Sequence, residues 1–151
     1  MSKTIEFNSL LVPVDFSAAS TAAVQRATVL ASGDEPVLVL LHVIDASLVD
    51  IAESHGWGSR TGISAQMREQ AEAELQRYRE QTPEGIEVDT VISEGVPFLE
   101  ILRKADDFAV DAIVIGKIGR RGAADKLLFG GTAEKVLRGS RHPVLVLPLD
   151  N

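Results

Sequence analysis

A chain of 151 residues, 45% hydrophobic and 25% charged, is large enough to bury roughly 70% of the surface its unfolded form exposes. It has no cysteine, which excludes a disulfide framework and thiolate chemistry, and its formal net charge of −7 argues against a general nucleic-acid binder. The longest apolar run, Val37 to Val43, is broken by His42 and too short to span a bilayer, and Met1-Ser2-Lys3-Thr4-Ile5-Glu6 lacks the apolar core of a secretory signal. Cytoplasmic residence without membrane insertion is the expectation.

Apolar runs alternate with helical patterns along the whole chain. Leu10 to Val14 reads as a first strand, closed by Asp15 and by Ser17 as a helix cap. From Ala18 to Ser32, Ala19, Ala23, Ala27 and Leu30 share a helical face, and the small alanines let that helix lie close to a sheet; Gly33-Asp34 stops it. Val37 to Ile44 reads as a second strand, apolar on both faces as a covered parallel sheet requires. Asp45 to Gly62, with three glycines and Trp57, reads as a loop. A long helix from about Ser64 to Gln81 packs through Met67, Ala71, Leu75 and Tyr78.

Pro83-Glu84-Gly85 breaks that helix. Ile86 to Ile92 then alternates apolar and polar residues, the mark of a half-exposed edge strand. A third helix begins around Pro97 with a core face of Phe98, Ile101, Leu102, Ala105 and Phe108. Ala112 to Ile115 and Val144 to Leu147 complete five strands, with a short helix from Ala133 to Arg138 between them.

This alternation specifies an α/β fold, a three-layer sandwich with a five-stranded parallel sheet of Rossmann-like or flavodoxin-like type, read as a single domain over 1–151. Ligands of such sheets bind at the carboxyl ends of the strands, where strand order reverses. Asp15, Val43 and Gly116 sit at those ends and should line one crevice. Gly116-Lys117-Ile118-Gly119 follows a strand directly, and Gly130-Gly131-Thr132 opens a helix. Glycines there admit close backbone N–H approach to an anion, and the helix N-terminus adds partial positive charge, which is the recipe for holding phosphates.

Three segments together carry a resemblance to the universal stress protein family over nearly the full length: Leu11-Val12-Pro13-Val14-Asp15-Phe16-Ser17, Leu40-Leu41-His42-Val43-Ile44-Asp45, and the glycine region running to Pro143-Val144-Leu145-Val146. ATP-binding members of that family share a glycine, two residues, a glycine, nine residues, a glycine and then serine or threonine. Carried across, the first glycines are Gly116 and Gly119 and the closing pair is Gly131-Thr132. Positions 120 to 130 separate Gly119 from Gly131, two residues more than the pattern. Both halves of the motif are retained, so the resemblance implies retained binding, with the longer loop leaving the affinity open to change.

The same resemblance implies a set of roles. Asp15 would bond the ribose or the adenine edge, Pro13 and Val14 would line the base pocket, and the Val43 backbone would read the base. Ile115, Gly116, Ile118 and Gly119 would contact sugar and phosphates, and Gly131, Thr132 and Ala133 would bind the outer phosphates. Ile118 stands where polar residues are frequent in the family. Of the loop cations Arg120, Arg121 and Lys126, Lys126 is the candidate for a phosphate contact. The competing reading of Asp15 is a helix cap shared with Ser17.

The ligand so implied is ATP, with or without Mg²⁺, in a protein of stress-response signalling. No residue is placed as a general base, so any hydrolysis would be slow. His42, His55 and His142 are too dispersed for a metal site; His42 is expected to make a structural hydrogen bond at a strand end, and Trp57 to pack locally. Lys135, Arg138 and Arg141 are read as complementing the end of the last helix. A second reading stays open, a nucleotide-free interaction module that pairs its C-terminal strand across a homodimer. A receiver domain or a flavin-binding relative fits less well, because Ile92-Ser93-Glu94 and Asp15-Phe16-Ser17-Ala18 stand where their functional groups belong.

Overall fold

The computed structural model describes residues 5–117 and 130–148. Five strands, β1 (Ser9–Pro13), β2 (Val37–Asp45), β3 (Glu87–Gly95), β4 (Ala112–Gly116) and β5 (Val144–Leu147), form one sheet in the order β3-β2-β1-β4-β5, every neighbouring pair parallel. β3 lies at an edge, as its alternation predicts. The chain winds outward from β1 through β2 to β3, then crosses back to β4 and β5, so strand order reverses between β1 and β4.

The reversal places helices on both faces. α1 (Ala18–Leu30) and α3 (Arg60–Gln81) cover one face, where Ala23, Ala27, Leu75 and Tyr78 pack on Leu10, Val12, Leu38 and Leu40. α4 (Pro97–Phe108) and α5 (Gly131–Gly139) cover the other, where Ile101, Ala105 and Val136 meet Leu11, Leu41 and Ile113. Leu10, Leu11, Leu38, Leu40 and Leu41 are wholly buried. Each contributes roughly 1.5–3 kcal/mol through the area removed from water.

The stretch read as a loop contains a helix. α2 (Ala46–Ser54) is capped by Asp45, whose carboxylate accepts from the Ser47 N–H at 2.9 Å, and it buries Val49 and Ala52. α3 begins at Arg60, earlier than the expected Ser64, because Ser59 accepts from the Gly62 N–H and caps it. β3 runs on to Gly95, since Ser93, Glu94 and Gly95 stay paired with Val43, Ile44 and Asp45. Phe108 is also corrected: it lies at the end of α4 and is 41% exposed, while Ile101 and Ala105 fill the core.

Two basic residues placed at the end of the last helix have more specific work. Lys135 lies over the Phe98 ring, 5.1 Å from its centroid, and Arg138 pairs with Glu134 at 3.0 Å. His142 ties α4 to the start of β5, its two ring nitrogens 3.0 Å from the Val110 carbonyl and 2.9 Å from Asp106 Oδ1. Among the described residues, no helix is long and apolar enough to cross a membrane.

Candidate functional site

A cleft of about 980 Å³ opens at the carboxyl ends of the strands, across the reversal between β1 and β4. Pro13, Val14 and Asp15 line it from the end of β1, Val43 from β2, and Ile115 and Gly116 from β4. Gly131, Thr132 and Ala133 enter from the first turn of α5. Nine of the residues singled out in the sequence thus meet in one cavity. Ile118, Gly119 and Lys126 lie outside the described residues.

The β1 wall is fixed by short-range bonds. Asp15 Oδ1 accepts from the Ser17 N–H at 3.0 Å, and Ser17 caps α1 by accepting from the Ser20 N–H at 3.2 Å. Asp15 is therefore part of the turn into α1 and a cleft-lining carboxylate at once. Between them Phe16 has φ 65°, a left-handed conformation costing a bulky residue on the order of 1 kcal/mol or more. Stacking compensates: the Phe16 ring lies 4.6 Å from His42 at 28°, and 6.2 Å from Tyr78 at 18°. The Tyr78 hydroxyl meets Thr21 Oγ1 at 2.7 Å, which joins α3 to α1 behind the cleft.

On the β2 side the strand outruns its neighbour. β1 leaves the ladder after Pro13, paired with Leu41, whereas β2 continues to Asp45 beside β3. In a parallel ladder alternate residues turn both backbone groups to the same neighbour. Val37 donates to the Asn8 carbonyl and Leu41 accepts from the Val14 N–H, so Val43 faces the space that β1 has vacated. Its N–H and C=O are thereby directed into the cleft.

The glycines divide into two kinds. A Cβ on Gly116 would lie 3.0 Å from Ala19 Cβ and 3.1 Å from the Ala19 backbone, so the close approach of α1 to β4 favours glycine here. A Cβ on Gly131 would meet nothing within 4 Å. The N-terminus of α5 begins at Gly130 with no side-chain cap, unlike α1, α2 and α3. Among the described residues, no side chain caps its first N–H groups, and the positive end of its dipole meets the cleft. That arrangement can hold an anion.

Several cleft residues carried no sequence signal of their own. Lys117 lines the cavity next to the α5 N-terminus, and Leu48 of α2 and Met67 of α3 form an apolar flank. Lys117 stood within the glycine motif without a role of its own, Met67 was read as a packing residue, and Leu48 was hidden in the supposed loop. Trp57 makes a local contact, its ring centroid 5.2 Å from that of His55; it is 73% exposed and does not line the cleft. Among the described residues, no three His, Asp or Glu side chains converge as metal ligands.

A doubly wound parallel sheet with its cleft at the reversal of strand order defines the class of protein. The chain belongs to the universal stress protein family, matching it over residues 6–148. It is 31% identical to the universal stress protein YxiE of Bacillus subtilis over 153 aligned positions, covering 93% of this chain and 99% of that one. It is 29% identical to universal stress protein MJ0531 of Methanocaldococcus jannaschii, covering 93% and 82%. The solved structure of MJ0577 superposes with a TM-score of 0.85 at 26% identity, covering 97% of this chain and 99% of that one. A universal stress protein solved in complex with cAMP shares the fold, with a TM-score of 0.67 at 20% identity and coverage of 97% and 100%.

Proposed function

We propose that this protein binds an adenine nucleotide, ATP foremost, in the switch-point cleft and acts as a regulatory or signalling component rather than a catalyst. The observation that carries the reading is the pairing, across one cavity, of an open strand edge at Val43 with an uncapped helix N-terminus at Gly131. A planar base with adjacent donor and acceptor groups suits the first, and phosphates suit the second. Asp15 lines the same cavity, which supports a bond from a ribose hydroxyl to its carboxylate, and Pro13, Val14 and Ile115 supply apolar walls. By the family resemblance, Ile118 and Gly119 are proposed to make further sugar and phosphate contacts and Lys126 a phosphate contact. Any Mg²⁺ would ride on the phosphates. With no general base identified, hydrolysis is slow at most.

The chain is proposed to work in the cytoplasm as a homodimer. β5 supports this: all four of its residues are only half-buried at the sheet edge. An exposed edge strand is a natural pairing surface. That same edge supports the second reading, a nucleotide-free module acting through dimerisation alone. Denaturing purified protein and identifying the released small molecules separates the two. An adenine nucleotide in the extract is the expected result; an empty extract combined with no ATP uptake would favour the bare module.

A further inference from the structure

The β1–β2 ladder ends one rung early, and His42 occupies the missing rung. The last backbone bond runs from the Val14 N–H to the Leu41 carbonyl at 2.8 Å. Continuing the parallel pattern, the next would run from the Val43 N–H to the Val14 carbonyl. Among the described residues that bond is absent, and His42 Nδ1 stands 2.8 Å from the Val14 carbonyl instead. A carbonyl only accepts, so Nδ1 carries the proton there. The ring is held in this pose by the Phe16 face 4.6 Å away, itself backed by Tyr78.

We propose that His42 is a positioning residue: by taking the Val14 carbonyl it keeps the Val43 N–H out of the ladder and available to the base of a bound nucleotide. An unpaired backbone donor is normally satisfied by the adjacent strand, and here a side chain substitutes for that donor at the acceptor. The Phe16–Tyr78 stack then makes α3 part of the same device, because displacing Tyr78 would release Phe16 from His42. The binding half of this inference rests on the adenine-nucleotide reading above; the structural half does not.

The test is amide exchange followed by NMR in the free protein, combined with titrations of ATP and of inorganic tripolyphosphate. In the unmodified chain the Val43 amide exchanges faster than that of Leu41, which the ladder protects. In His42→Ala the rung closes, Val43 becomes protected, and ATP affinity falls about tenfold while tripolyphosphate affinity stays the same. His42→Asn restores both, since its amide nitrogen lies as many bonds from the backbone as Nδ1 and donates to the same carbonyl. Val43 protected like Leu41 in the unmodified chain would overturn the proposal, whether or not His42→Ala folds. So would His42→Ala protein with unchanged exchange and unchanged ATP affinity. If the unmodified chain binds no ATP while the exchange contrast holds, the nucleotide reading fails and the ladder mechanism stands.

Discussion

The Gly130 N–H donates to the Lys117 carbonyl at 2.7 Å, and the Lys117 N–H donates to the Leu147 carbonyl at 2.7 Å. These bonds close the base of the segment 118–129 and anchor it to β5. Gly116 and Gly131 are therefore held by the sheet and by one cross-link, which is expected to hold them whatever the number of residues between.

Deleting Ala123 and Ala124 restores the family spacing and tests this directly. Shortening a closed loop of this length changes its closure entropy by under about 0.3 kcal/mol. Thermal melting should move by no more than about 2 °C, and ATP affinity by less than about threefold. A tenfold change in either direction would show that loop length itself shapes the phosphate site.

Gly116 and Gly131 should respond oppositely to alanine. Gly116→Ala forces α1 away from β4 and should cost about 1–3 kcal/mol, read as a lower denaturation midpoint. Gly131→Ala finds open space at the start of α5, so stability should hold or rise by up to about 1 kcal/mol. The new methyl group would nevertheless occupy the phosphate cradle and reduce ATP affinity by about tenfold or more. Equal loss of stability in both variants would contradict the division.

Asp15→Asn retains an oxygen for the Ser17 N–H and so keeps the turn into α1. It removes the charge offered to a ribose hydroxyl. Charged hydrogen bonds are worth about 1.5–3 kcal/mol, so ATP should bind roughly tenfold to a hundredfold more weakly with the melting temperature little changed. A variant that melts much earlier and binds ATP normally would make Asp15 a structural residue only.

Arg60 pins the α2 flank of the cleft. Its guanidinium pairs with Asp50 and, at 3.2 Å, with Glu94, while its N–H donates to Glu53 at 2.8 Å. Both side-chain pairs are partly exposed, so Arg60→Met should cost under about 1 kcal/mol globally. Amide exchange in 46–54 should nevertheless accelerate, because the side-chain bridge from Asp50 through Arg60 to Glu94 is cut and only the backbone N–H bond to Glu53 remains. Unchanged exchange there would show that buried Val49 and Ala52 and the backbone bond to Glu53 hold α2 without the Arg60 side chain.

Much of this arrangement can be read from the chain. Val37 to Ile44 is apolar at every position but His42, which only a strand covered on both faces tolerates, and the alternation after Ile86 marks an edge. Asp15 and Gly116 converge because they stand at the ends of β1 and β4 on either side of the reversal, and Val43 joins them where β2 outruns β1. α2 was obscured because Gly56, Gly58 and Gly62 dominate the stretch, although Asp45 is a good cap for Ala46–Ser54. The glycine motif conflates two causes: Gly116 answers to Ala19, 97 positions earlier in sequence, and only packing reveals that. His42 was legible as a strand-end hydrogen bonder, but its acceptor depends on where β1 stops, a tertiary fact.

The central claim is that the cleft takes an adenine nucleotide, and calorimetric titration of ATP into nucleotide-stripped protein tests it most directly. Saturable binding with one nucleotide per chain, weakened in both Asp15→Asn and Gly131→Ala, is the predicted result. No saturable heat up to millimolar ATP, from protein whose denatured extract also holds no nucleotide, would contradict it.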